Sequence, residues 1–349
     1  MSVLCAPLLA LALAPASAAS PWGKKAWGVL VIDATASSDS GRGAPKLAKD
    51  LGKKFQVEFA RGLADSKEIQ SAVDRLTAQN VKKIVVVPLV LTTESDAMDE
   101  TQYVLGLRKD PSADFFKSAH GHSGYTNIRR VQTKLPVVMS SGLDAHPLVA
   151  EILAARAKEQ SRKPARERVV LVAWGARTNA GDELTRRNLD ALARKVRELG
   201  DYEDAQGFTL RDSADAKERS QAETALRRAV AAWSRLGRVI VVCHFLAPDG
   251  LERRVRAVLD GAFYSLNAKG LVSDPKLAKW IEAKAREAAA MPNMRRFKDT
   301  GRPIESPEAK KRLRLDTGAP VLRKPSTGNA TGPRRTISPI DNPTSDGGY

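Results

Sequence analysis

Short apolar runs alternate with longer amphipathic stretches along most of the chain, and the same order of elements occurs twice. Residues 27–33 and 169–174 are apolar runs, each followed by small and polar residues and then by a helical pattern. A further pair of apolar runs, residues 83–88 and 238–243, follows a second helical pattern. Strands that alternate with helices at this period predict parallel sheets. The pattern therefore predicts an α/β protein with two tandem doubly wound lobes, each built on a parallel four-stranded sheet.

The repeat sets the predicted domain boundaries. Lobe 1 covers residues 26–158 and contains an insert at residues 110–133, which has no counterpart in the second copy. Residues 159–167 are polar and form a predicted solvated linker, and lobe 2 covers residues 168–288. A duplicated α/β unit binds its ligand where the two copies meet, so we expect a site in the cleft between the lobes.

Both ends of the chain fall outside the lobes. Residues 1–19 hold a short apolar run and then Ala16, Ser17 and Ala18, the small-x-small pattern that signal peptidase cleaves. The run is too short to span a bilayer, so we expect no transmembrane span in the mature chain and export to the periplasm or beyond. A cytoplasmic protein is the alternative, because no Lys or Arg precedes the run. Residues 289–349 are rich in Pro, Gly and Arg, which predicts a basic disordered tail.

Charge and composition narrow the class of partner. The 349 residues carry a net charge of +17, which favours anionic partners. Only 5% of the residues are aromatic, and no basic stretch has the interleaved Phe or Tyr that stacks on bases, so nucleic acid is not expected. The two cysteines, Cys5 and Cys243, cannot form a disulfide framework or a cysteine-rich metal site. An anionic small molecule or a metal ion is the predicted partner.

Blocks that occur in the same order in both halves resemble the class II tetrapyrrole chelatases, the sirohydrochlorin cobalto- and ferrochelatases. The blocks are residues 29–39, 82–91 and 146–151 in lobe 1, and residues 170–177, 239–254 and 274–275 in lobe 2. The resemblance implies a lyase that inserts cobalt or iron into a polycarboxylate tetrapyrrole held between two lobes. Co²⁺ or Fe²⁺ is then expected as substrate or ligand.

The histidines that the resemblance implies are missing. Family members carry one histidine after the first strand and another after the third, where an imidazole suits both proton removal and metal transfer near neutral pH. At the first of these positions stand Thr35, or Ala34 by a one-residue shift, in lobe 1 and Trp174 in lobe 2. Asp96 and Leu251 stand at the second.

Asp33, Asp96 and His244 are the candidate catalytic and metal-binding residues that remain. Asp33 directly follows a buried strand, where α/β sheets bind ligands, although a turn residue there needs no function. Asp96 begins a helix, where an acidic side chain also complements the helix dipole. His244 follows the third apolar run of lobe 2, where a core histidine is the alternative interpretation.

Thr35, Trp174, Arg177 and Arg253 are the candidate ligand-binding residues. Arg177 and Arg253 could hold carboxylates through two hydrogen bonds each, although Arg253 fits a solvated helix face equally well. Trp174 could stack on a flat ring or fill the space that the histidine leaves. A metal site of His120 and His122 in the insert is possible from their spacing, and a surface loop is the alternative.

Two functions remain open from the sequence. The first is an exported, degenerate chelatase-like protein that binds a metal ion, an anionic tetrapyrrole or both in the inter-lobe cleft. The second is an active sirohydrochlorin cobalto- or ferrochelatase that uses carboxylates or His244 in place of the usual histidines. Export and the missing histidines favour the first, because tetrapyrrole precursors are made in the cytoplasm.

Overall fold

The chain forms two parallel four-stranded sheets with helices on both faces, as the sequence predicts. The structure is a computed structural model, and it describes residues 26–33, 44–111 and 129–298. Sheet 1 has the strand order β2-β1-β3-β4, and sheet 2 has the order β6-β5-β7-β8. Every neighbouring pair of strands within these sheets is parallel. The predicted α/β fold of two doubly wound lobes is therefore confirmed.

The central strands are continuous apolar runs because both faces of each sheet are covered. The strands are β1 (Gly28–Asp33), β2 (Gln56–Arg61), β3 (Ile84–Leu89), β4 (Val137–Met139), β5 (Glu167–Ala173), β6 (Asp204–Thr209), β7 (Arg238–Cys243) and β8 (Ser265–Asn267). β1 and β3 are buried at every position, whereas β2, at the edge of sheet 1, is mostly half-buried. The apolar pattern thus distinguishes the central strands from the edges.

Eight α-helices lie in the described part of the chain. They are α1 (Ala44–Gly52), α2 (Ser66–Ala78), α3 (Asp96–Val104), α4 (Pro147–Gln160), α5 (Asn179–Gly200), α6 (Ala216–Ser234), α7 (Leu251–Val258) and α8 (Pro275–Ala289). Asp65 caps α2 by accepting hydrogen bonds from the amides of Lys67 and Glu68, which satisfies two amides that the helix leaves open. None of the described helices is long and apolar enough to cross a membrane.

Two helices are exchanged between the sheets. α4 follows sheet 1 in the chain, but it packs on β7 and β8 of sheet 2 and along α5. α8 follows sheet 2, but it packs on β3 and β4 of sheet 1 and against α1. The buried apolar residues of β1, β3, β5 and β7 on these faces form one continuous core with both helices. The two sheets therefore cannot separate without uncovering apolar surface on each.

The buried Arg156 connects α4 to the end of β8 in sheet 2 through hydrogen bonds. The Arg156 side chain, only 3% exposed, donates to the carbonyl oxygens of Lys269 and Gly270 beyond β8. In return, Asn267 Nδ2 donates to Arg156 O at 3.0 Å. Burial lowers the pKa of Arg156 to about 10, and the guanidinium still stays charged at neutral pH.

The linker and the described first residues of the predicted tail, 289–298, are more ordered than the sequence predicts. Within the predicted solvated linker, Glu167 is buried and accepts hydrogen bonds from Ser161 Oγ and from the amides of Arg162 and Lys163. These three protein donors replace the water that a buried carboxylate lacks. Beyond α8, residues 291–298 run along the first lobe, which shortens the predicted tail.

Backbone hydrogen bonds hold this last segment in place. Met294 N donates to Val137 O at 3.2 Å, and Phe297 N donates to Gly106 O at 2.7 Å. Gly106 has a φ of +73°, and a Cβ there would lie 2.8 Å from Phe297 O. Only glycine combines a positive φ with room for the close approach of the Phe297 carbonyl. Residues 299–349, 1–25 and 112–128, which hold the rest of the tail, the predicted leader, His120 and His122, lie outside the described residues.

Substitution of Trp280 tests whether the exchange of α4 and α8 joins the two sheets into one folding unit. It lies on α8 and is fully buried in the shared core, so we expect Trp280→Ala to lower the free energy of unfolding by about 3–5 kcal/mol. Both sheets should still unfold in one transition, because each is covered by a helix from the other half. Chemical denaturation followed by circular dichroism measures this. Lys279→Ala, at the exposed neighbouring position, should cost less than about 0.5 kcal/mol. A Trp280→Ala protein that unfolds in two separate steps would contradict this account.

Candidate functional site

A cleft opens between elements of the two halves at the carboxyl ends of β3 and β4. Its volume is about 680 Å³. Residues 92–94 follow β3 and residues 141–146 connect β4 to α4, while Leu184, Arg187 and Asn188 on α5 and Lys284 on α8 form the opposite side. We call this space the inter-lobe cleft. It lies at the edge of the sheet where α/β proteins bind ligands.

Asp144 joins the two sides of the inter-lobe cleft. Its Oδ1 accepts hydrogen bonds from Thr93 N at 2.8 Å and from Asn188 Nδ2 at 3.2 Å, and its Oδ2 accepts one from Thr93 Oγ1 at 2.5 Å. Thr93 Oγ1 in turn accepts a bond from Gly142 N. With three donors on its carboxylate, Asp144 fixes the loops in place and has little capacity left to bind a metal ion.

His146 presents a hydrogen-bond donor to the cleft. It caps α4, and its Nδ1 accepts a hydrogen bond from Leu148 N at 3.2 Å. The capping nitrogen must be unprotonated, so the proton of the neutral ring lies on Nε2. Burial, followed by the positive charges of Lys284 and Lys195, lowers the pKa of His146 below its ordinary value. The ring is therefore a neutral donor at physiological pH.

Positive charge comes to the cleft from the second half of the chain. Lys284 lines it from α8 and pairs with Glu287 at 2.8 Å, and Arg187 lines it from α5 and pairs with Glu183. Glu183 raises the pKa of Arg187, and Glu94 contributes to the same shift from the first half. The walls thus offer two cations and the donors of His146 and Asn188, with Glu94 as an exposed carboxylate. Such a set suits a ligand with carboxylate groups.

The predicted site residues of lobe 1 lie along the same sheet edge but outside the cleft lining. Asp33 ends β1 and is 8% exposed, and its register neighbours are Arg61 and Leu89. Asp96 is the first residue of α3, after the cap Ser95, and it is exposed. Its position fits the helix-dipole interpretation. Thr35 lies outside the described residues.

The predicted ligand-binding residues of lobe 2 lie at the carboxyl edge of sheet 2. Trp174 follows β5, and its Nε1 donates to Asp249 Oδ2 at 2.7 Å, which holds the half-buried indole in place. Arg177 is exposed in the loop before α5, and Arg253 is exposed on α7. The neighbouring Arg254 is held by salt bridges to acidic residues of its own lobe. Arg253 therefore remains the ligand-binding candidate of this helix.

His244 is buried in the protein interior. It directly follows β7, is 4% exposed, and its Nε2 has no hydrogen-bond partner among the described residues. Its backbone amide donates to Val172 O at 2.7 Å. Burial, with a smaller contribution from Arg156, lowers the pKa of His244 to about 4, so the ring is neutral at physiological pH. Its burial fits the core-histidine interpretation, but within the described part of the chain Nε2 lacks the hydrogen bond that a satisfied core histidine makes.

The described residues do not bring the predicted metal ligands together. No group of three or more His, Cys, Asp or Glu side chains suited to a metal ion occurs among them. The physical reason is that Asp33 ends β1 and Asp96 follows β3 in sheet 1, whereas His244 is buried after β7 of sheet 2, which α4 covers. Their predicted roles in catalysis and metal binding stay predictions.

Four residues that line the cleft were not predicted from the sequence: His146, Arg187, Asn188 and Lys284. His146 precedes Pro147, which correctly indicated a helix start, but it gave no sign that the ring faces a cleft. Lys284 looked like an ordinary residue of a surface helix, and only the exchange of α8 onto sheet 1 brings it here. Arg187 and Asn188 lie one turn from Leu184 on α5, a spacing that could have indicated a shared face.

Comparison with known proteins identifies relatives of this fold. Residues 42–160 match the family model CbiX. The structure is similar to SirB from Bacillus subtilis with Fe³⁺, with 14% identity and a TM-score of 0.53 over 76% of this chain and 96% of SirB. It is also similar to the sirohydrochlorin chelatase SirB from Bacillus subtilis subspecies spizizenii in complex with cobalt, with 15% identity and a TM-score of 0.50 over 76% of this chain and 97% of that one. No curated protein sequence matches the chain. The predicted resemblance to the class II chelatases is confirmed in the family match over residues 42–160 and in the fold.

The buried position of His244 predicts a pH dependence of stability. Because its pKa falls from 6.5 to about 4 on folding, the unfolded chain binds a proton in this range that the folded chain does not. The free energy of unfolding therefore keeps the full contribution of this histidine above pH 6.5. As the pH falls to about 4, it decreases by on the order of 3 kcal/mol through this histidine. His244→Leu should remove it. Denaturant titrations from pH 7 to 4 measure the difference between the two proteins, which share all other titrating groups. Parallel curves would contradict the assignment.

Proposed function

We propose that this chain, whose residues 42–160 match the CbiX family model, binds an anionic tetrapyrrole in the inter-lobe cleft. The observation that carries this proposal is the set of side chains around a cleft of about 680 Å³. That volume lies within the range of about 300–1,000 Å³ that small-molecule sites occupy. Both halves of the chain supply walls, which suits a large, flat ligand.

The polar groups of the cleft match carboxylates. Lys284 and Arg187 supply positive charge, and His146 Nε2 and Asn188 supply neutral donors. A tetrapyrrole with several acidic arms offers acceptors to all four. The net charge of +17 supports the approach of such a ligand over a longer range.

The same groups favour binding over metal insertion. Insertion needs a base that removes protons from pyrrole nitrogens. His146 cannot serve while its Nδ1 caps α4, because its other nitrogen carries the proton. Asp144 already accepts three hydrogen bonds, and His244 is buried away from solvent. We infer a degenerate chelatase that retains a ligand site and has lost its usual bases, with cobalt or iron as the metal that it or its ligand carries.

Glu94 supports the alternative of an active enzyme. Its carboxylate is exposed, lines the cleft, and follows β3 close to the position at which the family carries its second histidine. Asp96 stands two residues further along. A carboxylate is a weaker base than an imidazole by about two pKa units, so we expect slow metal insertion from such a base.

Lys284 provides the test of binding. We expect Lys284→Gln to weaken the binding of sirohydrochlorin about tenfold or more, since a hydrogen bond to a charged group is worth about 1.5–3 kcal/mol. Titration followed by absorption measures the dissociation constant. Lys279→Gln removes an exposed charge of the same helix outside the cleft lining and should leave it unchanged. Equal effects of the two substitutions, or no binding by the wild type, would contradict the proposal.

A cobalt-insertion assay, with Co²⁺ and sirohydrochlorin as substrates, distinguishes the degenerate chelatase from the active enzyme. The degenerate chelatase should form cobalt sirohydrochlorin at the rate of the uncatalysed reaction, and so should Glu94→Gln, Asp33→Asn and Asp96→Asn. Rapid insertion by the wild type that collapses in one of these three variants would show an active chelatase and identify its base.

We also propose that the chain is exported. The support is the apolar leader with Ala16, Ser17 and Ala18, which a secretion system recognises. Protein recovered from its native host should begin near Ala19, as read by mass spectrometry of the N-terminal peptide. An intact Met1 on the mature protein would contradict export and favour the biosynthetic enzyme.

A further inference from the structure

The amino end of sheet 2, opposite the edge that carries His244, exposes two large apolar side chains. Leu236 precedes β7 and is 69% exposed, and Phe263 precedes β8 and is 85% exposed. The pairing of Ile240 with Ser265 places Phe263 beside Arg238, the first residue of β7. Leu236 and Phe263 thus lie at the starts of neighbouring strands.

Basic side chains lie beside Leu236, on the β5 side of this apolar pair. The exposed ones in the turn before β5 and at the end of α6 are Arg162, Lys163, Arg166 and Arg235. The turn lies next to Leu236, because a Cβ on Gly237 would collide with Arg166 O. None of the four forms an ion pair within the described ranges. Together with Leu236 and Phe263 they define what we call the Phe263 corner.

Little negative charge opposes these cations. Arg168 and Arg238 lie at the same edge but pair with Glu203 and Glu167, so they add no net charge. Asp260 is the exposed acid in the turn before Phe263. The start of β6 differs from the start of β7, because the exposed Leu199 before β6 is followed by the acidic Asp201.

We propose that the Phe263 corner binds the surface of an anionic lipid bilayer. Phe263 and Leu236 enter the boundary between headgroups and acyl chains, while the basic side chains contact the headgroups. Each Arg or Lys near such a surface raises the partition coefficient about fivefold. Two apolar side chains are too few for a stable protein interface, which needs about 1,200 Å² or more, and this favours a lipid surface over a protein partner.

Vesicle cosedimentation with the full chain tests the proposal. The protein should bind vesicles that contain phosphatidylglycerol and not vesicles of phosphatidylcholine alone. Phe263→Ser should lower the partition coefficient about tenfold through lost apolar burial. The double variant Arg166→Gln, Arg235→Gln should lower it about 25-fold, and raised salt should do the same.

Leu199→Ser is the matched control, because it removes an exposed leucine at the opposite edge of the same sheet. It should leave vesicle binding unchanged, and all variants should keep the thermal unfolding profile and the sirohydrochlorin affinity of the wild type. The proposal is overturned if the wild type does not bind the anionic vesicles or if Leu199→Ser weakens binding as much as Phe263→Ser. It is also overturned if Phe263→Ser changes the oligomeric state by sedimentation while vesicle binding stays the same, because the corner is then a protein contact.

Discussion

The exchange of α4 and α8 between the two sheets is the packing interaction on which the rest of the structure depends. Each helix covers the apolar face of the sheet to which it does not belong in sequence. Arg156 and Trp280 make the exchange specific, one through buried hydrogen bonds to carbonyl oxygens and the other through apolar volume. The loop that enters α4 and the Lys284 side chain of α8 reach the inter-lobe cleft as a consequence. The site is therefore a product of this exchange and belongs to neither half alone.

The hydrogen bonds that hold the inter-lobe cleft together also limit its chemistry. The Asp144 oxygens accept hydrogen bonds from Thr93 and Asn188, and the unprotonated nitrogen of His146 accepts one from the first turn of α4. Both residue types could in principle serve metal insertion, but here each is committed to local structure. The other polar groups of the cleft are hydrogen-bond donors and two ion-paired cations, a set suited to an acidic ligand. This is the physical basis for a binding role, and Glu94 is the exception that keeps catalysis testable.

The sequence predicted the fold well because the fold rests on local patterns. Continuous apolar runs such as β1 and β3 gave the parallel sheets, and Asp65 and His146 marked helix starts correctly. The cleft lining was not predicted, because it depends on which sheet α4 and α8 cover, and no local pattern encodes that choice. Lys284 and Arg187 therefore looked like surface charges. His244 was singled out by its position after a strand, yet burial under α4 removed it from solvent.

Hydrogen exchange with and without sirohydrochlorin tests the central claim most directly, because it reports on both sides of the inter-lobe cleft at once. If the ligand binds there, amides of residues 141–146 and of the first half of α5 should become protected together, with the same dependence on ligand concentration. Protection confined to the edge of sheet 2 near Trp174 and Arg253, with residues 141–146 unchanged, would contradict the account.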